Sequence, residues 1–373
     1  MIRATSDRGA GAEGAAIAVA GRAATVFDWS SQACAPENIP DLPVRAFRDH
    51  RGRVQLILAH DVNRRMVGPT LDHVRVDCAV TMRSTRNPDP AAFDDAEWIG
   101  SVFTRDGRRV AALVHEEYHG ARPGICDRTG GTPPCWYNAV TLARSDDGGR
   151  SFEPRPGQLV AASTYRYRPR AAPTGIFTPS NIVGKGDGYY YALVVSRAPG
   201  GATGSCLIRS PDPFVPSSWR AWDGEAFRIR FANPYRVTPG AALACTPVAR
   251  SEIVEMHESL TYNTYLDRYL LVGLASLPGP SGKLVTGVYF SLSRDLIHWT
   301  SRRLMMKATV THTFRCGGAD PIAYPSLIDP RSHSRTFATT GRRPYLYLTR
   351  FNYEHCRQSL DRDLVRLPVE ISK

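Results

Sequence analysis

The chain has 373 residues, and the groups that acid–base chemistry needs lie far apart in it. Asp41 stands in Ile39-Pro40-Asp41-Leu42-Pro43, and Glu97 precedes Trp98. His115-Glu116-Glu117-Tyr118-His119 ends an apolar run, and His257-Glu258 opens an alternating one. Two carboxyl groups flanking a glycosidic bond can break it. One keeps a proton and delivers it to the leaving oxygen; the other is ionised and activates water or attacks the anomeric carbon. A carboxyl in an apolar, aromatic-walled pocket acquires the raised pKa that the acid requires. Trp98, Tyr118, Trp136, Tyr262 and Tyr324 can wall such a pocket and stack on sugar rings. Glu116 and Glu117 are neighbours, so a strand turns them to opposite faces and at most one reaches a shared cavity. The order His-Glu-Glu-Tyr-His is not the His-Glu-x-x-His of a helical zinc site. His60, His115 and His257 are therefore read as contacts to substrate hydroxyls, with a metal held by the three as the alternative. No metal and no cofactor is expected.

Residues so widely spaced need a fold that gathers them. Tight-turn signals recur at Asp49–Gly52, Arg105–Gly107, Gly186–Gly188, Leu266–Arg268 and Thr340–Arg342. Short β-rich runs precede them at Val44–Arg48, Trp98–Thr104, Asn181–Gly184, Ser259–Thr264 and Ser326–Asp329. Others follow at Val54–Ala59, Val110–His115, Tyr189–Ser196, Tyr269–Ala275 and Pro344–Arg350. Strand, turn, strand is the hairpin signature. A Ser/Asp/aromatic pattern marks further strands: Ser145 to Phe152, Ser210 to Trp219 and Ser293 to Trp299. Five twisted sheets cannot cover their own faces, but a ring buries each face against a neighbour. The reading is an all-β, five-bladed β-propeller over residues 37–373. Residues 1–36, Ala/Gly-rich, are expected to be flexible. The last strand, Leu364–Ile371, is expected to complete a blade and lock the ring; an irregular β-sandwich is the alternative.

In a propeller the starts of the inner strands and the ends of the second strands share one face. The starts carry Asp41, Glu97, Ser180 with Asn181, His257 with Glu258, and Asp320 with Tyr324. The ends carry His60, His115 to His119, Arg197, and Arg350 with Asn352. These groups are expected to meet in one mouth. Arg45, Arg64, Arg65, Arg197 and Arg350 suit a carboxylate-bearing sugar, because a guanidinium can grip a carboxylate in two places. The substrate contacts expected there are His60, Arg65, Glu97, Trp98, His115, Asn181, His257, Tyr324 and Arg350.

The chain resembles the five-bladed β-propeller glycoside hydrolases, the superfamily of arabinanases, xylosidases, invertases and levansucrases. The resemblance rests on Ile39–Pro43 at the first blade, Ser293–Trp299 on an outer strand, and Tyr324–Asp329 at the fifth blade. Ser145–Phe152 is also similar to the Asp-box of sialidases, a structural hairpin device. The resemblance implies that Asp41 is the base or nucleophile. The third blade opens with Thr178-Pro179-Ser180-Asn181 and offers no carboxylate. Glu258 then takes the role of acid, with Glu116 or Glu117 as the alternative acid or as a modulator of its pKa. The expected activity is hydrolysis of a glycan, such as a furanoside-containing polysaccharide. A non-catalytic carbohydrate-binding propeller, or a sialidase-like or lyase-like enzyme on acidic sugars, is the alternative.

Composition narrows the partners. The net charge is +12, and only Lys185, Lys283, Lys307 and Lys373 among the 47 basic residues are lysines. The arginines are spread rather than gathered into a basic face or tail, which argues against nucleic acid. No apolar run is long enough to insert into a membrane. The eight cysteines form no Cys-x-x-Cys pair, and Cys126 and Cys135 bracket a Gly/Pro loop. An even count without metal spacing points to disulfides and an exported, secreted or periplasmic protein. No clear signal peptide opens the chain, and the oligomeric state is left open.

Overall fold

The computed structural model describes residues 14–124, 126, 135–169, 173–200, 203–238 and 244–373. Five antiparallel blades follow one another along the chain, and blades II and III are joined into one ten-stranded sheet by a parallel pairing of Thr174 with Tyr137 and Gly175 with Asn138. Blade I is Arg45–Arg48, Val54–Leu58, Val62–Gly68 and Arg75–Arg83. Blade II is Ala96–Phe103, Val110–His119, Trp136–Ser145 and Glu153–Ala162. Blade III has its inner strand in two pieces, Thr174–Phe177 and Val183–Gly184, followed by Tyr190–Arg197, Thr203–Ser210 and Arg220–Trp222. Blade IV is Ser259–Asn263, Arg268–Pro278, Leu284–Ser293 and Arg303–Lys307. Blade V is Ile322–Ile328, Tyr345–Phe351 and Arg362–Ser372.

The period-two alternation of the second strands builds the ring. In blade II, Val110, Ala112 and Val114 pack into a cluster with Ile57 and Ala59 of blade I, while Ala111 and Leu113 pack with Ala192 and Val194 of blade III. Blade IV does the same: Tyr269 and Leu271 join the blade III cluster, and Leu270 and Val272 join that of blade V. In blade V, Leu346 and Leu348 face blade IV, and Tyr347 faces Leu56 and Leu58 of blade I. Five apolar seams close the circle.

The axis is filled by one side chain. Arg45, on the inner strand of blade I, is 1% exposed. Its guanidinium donates to the carbonyls of Gly100 in blade II (2.8 Å), Pro179 in blade III (3.2 Å) and Glu258 before blade IV (2.7 Å). It also donates to the hydroxyl of Ser326 in blade V, at 3.3 Å. Five blades therefore share one cation, and burial lowers its pKa to about 9. Arg45 was expected to meet an acidic sugar; its donors are instead spent on the backbone at the centre of the ring.

The N-terminal segment departs from expectation. Residues 1–13 lie outside the described part, but Ala16–Val19 and Ala24–Phe27 are strands that pair with Arg362–Ser372. Ile17 and Phe27 are buried in the seams on the two sides of blade V. The short apolar alternation in this stretch supplies the outer edge of the blade, so the two ends of the chain lock the ring together. The cysteines pair as Cys34–Cys78, Cys126–Cys135, Cys206–Cys245 and Cys316–Cys356. The Ser/Asp turns are structural: Asp147 accepts from the Ser145 hydroxyl and from the backbone N–H of Arg150 and Ser151, and Asp295 repeats the pattern with Ser293, Ile297 and His298. Among the described residues no helix is long and apolar enough to cross a membrane.

Candidate active site

The inner strands begin on one face, and their flanking residues form the mouth. Asp41 enters it just before blade I, its backbone N–H bonded to the carbonyl of Ala59 at the end of the second strand. Its carboxylate accepts from the Tyr324 hydroxyl (3.2 Å) and from the Arg362 guanidinium, and His60 Nε2 lies 4.0 Å away. Tyr324 holds a left-handed backbone, φ +58°, at a bulge between Ala323 and Ser326 in the inner strand of blade V. Such a conformation is costly for a tyrosine. Here it accompanies the phenol's reach to Asp41 across the blade V–blade I seam.

Glu117 faces the same cavity. The strand Val110–His119 puts His115, Glu117 and His119 on one face, because alternate residues share a face. The two carboxylate oxygens of Glu117 are each 2.9 Å from an imidazole, Oε1 from His115 Nε2 and Oε2 from His119 Nε2. Trp98 lies among the histidines, with ring centroids 5.9 Å from His60, 6.0 Å from His115 and 6.5 Å from His119. Phe177 stacks on His115 and Trp136 tilts against His119. The mouth is thus walled by aromatic rings with two carboxyl groups between them.

Their surroundings drive these two carboxyls apart. Burial raises the pKa of Asp41, and the nearby charge of Glu117 adds to this; Arg362 and His60 pull the other way without reversing it. Burial also acts to raise Glu117, but the hydrogen bonds from His115 and His119 outweigh it and bring the pKa down to about 2. Burial, together with the cations Arg362 and Arg86, lowers the pKa of His60 despite the pull of Asp41. The two carboxyls are therefore shifted in opposite directions, Asp41 upward and Glu117 downward.

Several expected site residues sit elsewhere. Glu116 takes the opposite strand face, fully buried, with Oε1 3.4 Å from the Asp95 N–H and Oε2 unpartnered. Glu97 lies beside it, 1% exposed, accepting from the Thr85 N–H, and burial raises it to about 7. Both lie on the strand face opposite His115 and Glu117, and Glu97 lines a separate cleft of about 210 Å³ with Asp94, Thr141 and Asn233. Arg65 is on the third strand of blade I, where Asp77 and the carbonyl of Gly149 take its donors. Asn181 accepts from the Leu260 N–H and ties blade III to blade IV. Arg350 binds Asp363 at the rim. His257 places Nδ1 2.7 Å from the carbonyl of Glu255. Glu258 stands at the start of blade IV, with its carbonyl on Arg45 and its carboxylate oxygens on the N–H groups of Leu274 and His257, both at 3.0 Å.

Arg362 and Phe177 were not singled out from the sequence. Arg362 reaches Asp41 from the last strand, 321 positions along the chain, and nothing local marks it. Among the described residues no group of three or more His, Cys, Asp or Glu is arranged to hold a metal ion.

No protein-family model matches the chain, and no curated protein sequence matches it. Solved structures with a similar trace include an alpha-L-arabinanase of Cellvibrio cellulosa complexed with arabinohexaose: 12% identity, 84% of this chain and 86% of that one covered, TM-score 0.45. A thermostable family-43 glycoside hydrolase is similar at 8% identity, over 90% of this chain and 95% of that one, with a TM-score of 0.48. The RS223-Beta-xylosidase is similar at 12% identity, over 90% and 94%, with a TM-score of 0.45. The chemistry of the mouth rests on this chain's own side chains.

Proposed function

We propose that the protein is a glycoside hydrolase with its active site in the mouth, Asp41 serving as the acid and Glu117 as the ionised partner. The single observation behind this reading is the pair itself: two carboxyls in one aromatic-walled cavity, pushed in opposite directions by burial on one side and two imidazoles on the other. A sugar ring packs against Trp98. The proton of Asp41 passes to the glycosidic oxygen as the bond from the anomeric carbon breaks. Tyr324 and Arg362 then stabilise the carboxylate that is left. Glu117, steadied by His115 and His119, takes a proton from the water that attacks the anomeric carbon. This assigns Asp41 the acid's role, where the sequence reading made it the base or nucleophile. The substrate class is a neutral glycan, furanoside-containing or from a cell wall, and the four disulfides support action outside the cytoplasm.

A second reading keeps Glu258 as the acid. It is favoured by position: Glu258, like Asp41, opens a blade, and its carboxylate is 14% exposed beside the axis. A glycan-panel screen read by released reducing ends tests both. Asp41→Asn and Glu117→Gln abolish turnover on the proposed mechanism, while Glu258→Gln leaves most of it. Loss confined to Glu258→Gln transfers the acid's role to that residue. Glycan binding without any release of ends makes the mouth a binding site and removes the enzymatic reading.

A further inference from the structure

Two carboxyls outside the mouth hold a segment that reaches into it. Glu97 and Glu116 stand directly opposite each other in the pairing of the first two strands of blade II, and both are buried. The connection 84–95, from blade I to blade II, is tied to each of them. The Thr85 N–H donates to Glu97 Oε2 at 3.2 Å, and the Asp95 N–H to Glu116 Oε1 at 3.4 Å. Between these anchors the segment closes on itself: the Arg86 N–H donates to the Asp95 carbonyl at 2.9 Å, with Arg86 in the left-handed region at φ +63°. From this closed loop two side chains run to the mouth. Arg86 pairs with Asp61, whose other carboxylate oxygen lies 3.1 Å from Nδ1 of His60. Asp95 accepts from the backbone N–H of His119 at 2.8 Å and from Arg122 at 2.6 Å. His60 is the neighbour of Asp41, and His119 holds Oε2 of Glu117. One segment thus touches the surroundings of both carboxyls in the mouth.

We infer that Glu97 and Glu116 are positioning residues: by anchoring the connection 84–95 they set His60 beside Asp41 and His119 beside Glu117. The inference rests on the reading of the mouth as the active site. The anchoring works with uncharged carboxyls. A protonated Glu97 still offers an oxygen to the Thr85 N–H. A charged one faces Asp94 and Asp95 of the segment, and Glu116 across the strands. Glu116 in turn faces Asp95, Glu97 and Glu117, with Tyr137 of the third strand and Tyr235 beyond blade III. The nearby cations are engaged, Arg86 with Asp61 and Arg122 with Asp95. Asp89 and Arg236 line the cleft beside Glu97, and Arg236 is exposed to solvent. Like charges repel strongly where little water screens them, so ionisation of Glu97 pushes on the end of the segment that carries Asp95. Burial brings that ionisation to about 7. Alkaline pH then loosens the mouth from a point outside it.

Two measurements test it: pH–rate profiles on a glycan that the native protein cleaves, and ring-nitrogen NMR of histidine-labelled protein. Glu97→Gln stays neutral and keeps an acceptor for the Thr85 N–H. Its kcat matches the native value at acidic pH and falls less steeply on the alkaline side, by roughly tenfold one pH unit above the native ionisation. Glu97→Ala removes the anchor: kcat drops roughly tenfold at every pH while KM stays within about twofold. The His60 and His119 ring signals shift together in Glu97→Ala at mildly acidic pH, and Glu97→Gln keeps them in place. Where Glu97→Ala does not fold, Arg86→Ala serves, an exposed change that frees Asp61 and shifts the His60 signals. An identical alkaline limb in the native protein and Glu97→Gln would overturn the assignment. So would His60 and His119 signals that stay in place in a folded Glu97→Ala, or His60 signals that stay in place in Arg86→Ala. If the native protein cleaves no glycan, the active-site reading fails by itself, and the histidine signals alone decide whether the two glutamates set the mouth.

Discussion

The two ends of the propeller treat the same side chain in opposite ways. On the hairpin face, Asp49, Asp106, Asp147, Asp187 and Asp295 all have lowered pKa values. Burial opposes this in each, but local hydrogen bonds win; Asp49, for example, accepts from the N–H groups of Arg51 and Arg53, each at 2.9 Å. At the mouth end, Asp41, Glu97 and Glu116 are raised, because burial there exceeds what their few donors return. Glu117 is the exception that explains the rule. It is as enclosed as its neighbours, yet two imidazoles restore the donors and it falls to about 2. Donor supply, more than depth, decides which way a carboxyl is shifted.

Asp41→Asn makes the sharpest break in that contrast. The substitution removes the transferable proton and is expected to cost roughly a thousandfold or more in kcat/KM on a responsive glycan. The same change on the hairpin face, Asp147→Asn, is expected to leave kcat/KM unaltered. Arg45→Met comes next. It strands the carbonyls of Gly100, Pro179 and Glu258 at the axis and is expected to lower stability by ~3–5 kcal/mol in urea unfolding. A loss under ~1 kcal/mol would mean that the ring closes without its central cation.

Glu97→Gln separates depth from donors through pH. Glu97 has a folded pKa of about 7, above its ordinary 4.5, so the folded protein binds the extra proton. Its share of stability is intact below the ordinary value and is lost as pH rises through about 7. The glutamine variant is expected to match the native protein at acidic pH and to gain up to ~3 kcal/mol at alkaline pH. A gain that does not depend on pH would contradict the shift. The smallest effect belongs to Asp147→Asn, expected to cost ~1–2 kcal/mol through its lost turn bonds, read as a lower melting temperature.

The same contrast explains what the sequence could disclose. The five hairpins and the Ser/Asp turns were legible because their donors and acceptors lie within a few residues: Asp147 reaches Arg150 and Ser151, Asp295 reaches His298. Period-two apolar runs such as Val110–Val114 fixed which faces had to be covered. Asp41, His60, Trp98, His115, Glu117 and Tyr324 were legible as mouth residues because strand starts and ends are local features. What was hidden came from across the ring. Arg45 looked like a sugar contact and is an axial plug, since its partners lie 55 to 281 positions away. Glu97 and Glu116 lie at the expected end, but strand parity turns them to the face opposite His115 and Glu117. The N-terminal strands looked flexible because their partner is the far end of the chain.

The central claim is that Asp41 keeps its proton to higher pH than an ordinary aspartic acid, while Glu117 beside it gives its proton up well below the ordinary glutamate range. Infrared difference titration of protein with isotope-labelled carboxyl carbons measures this directly. The account predicts a protonated carboxyl band that persists above the usual aspartic acid range and vanishes in Asp41→Asn, while the Glu117 carboxylate band survives down to strongly acidic pH. A fully ionised Asp41 at mildly acidic pH, or a Glu117 that takes up its proton in the ordinary glutamate range, would contradict it.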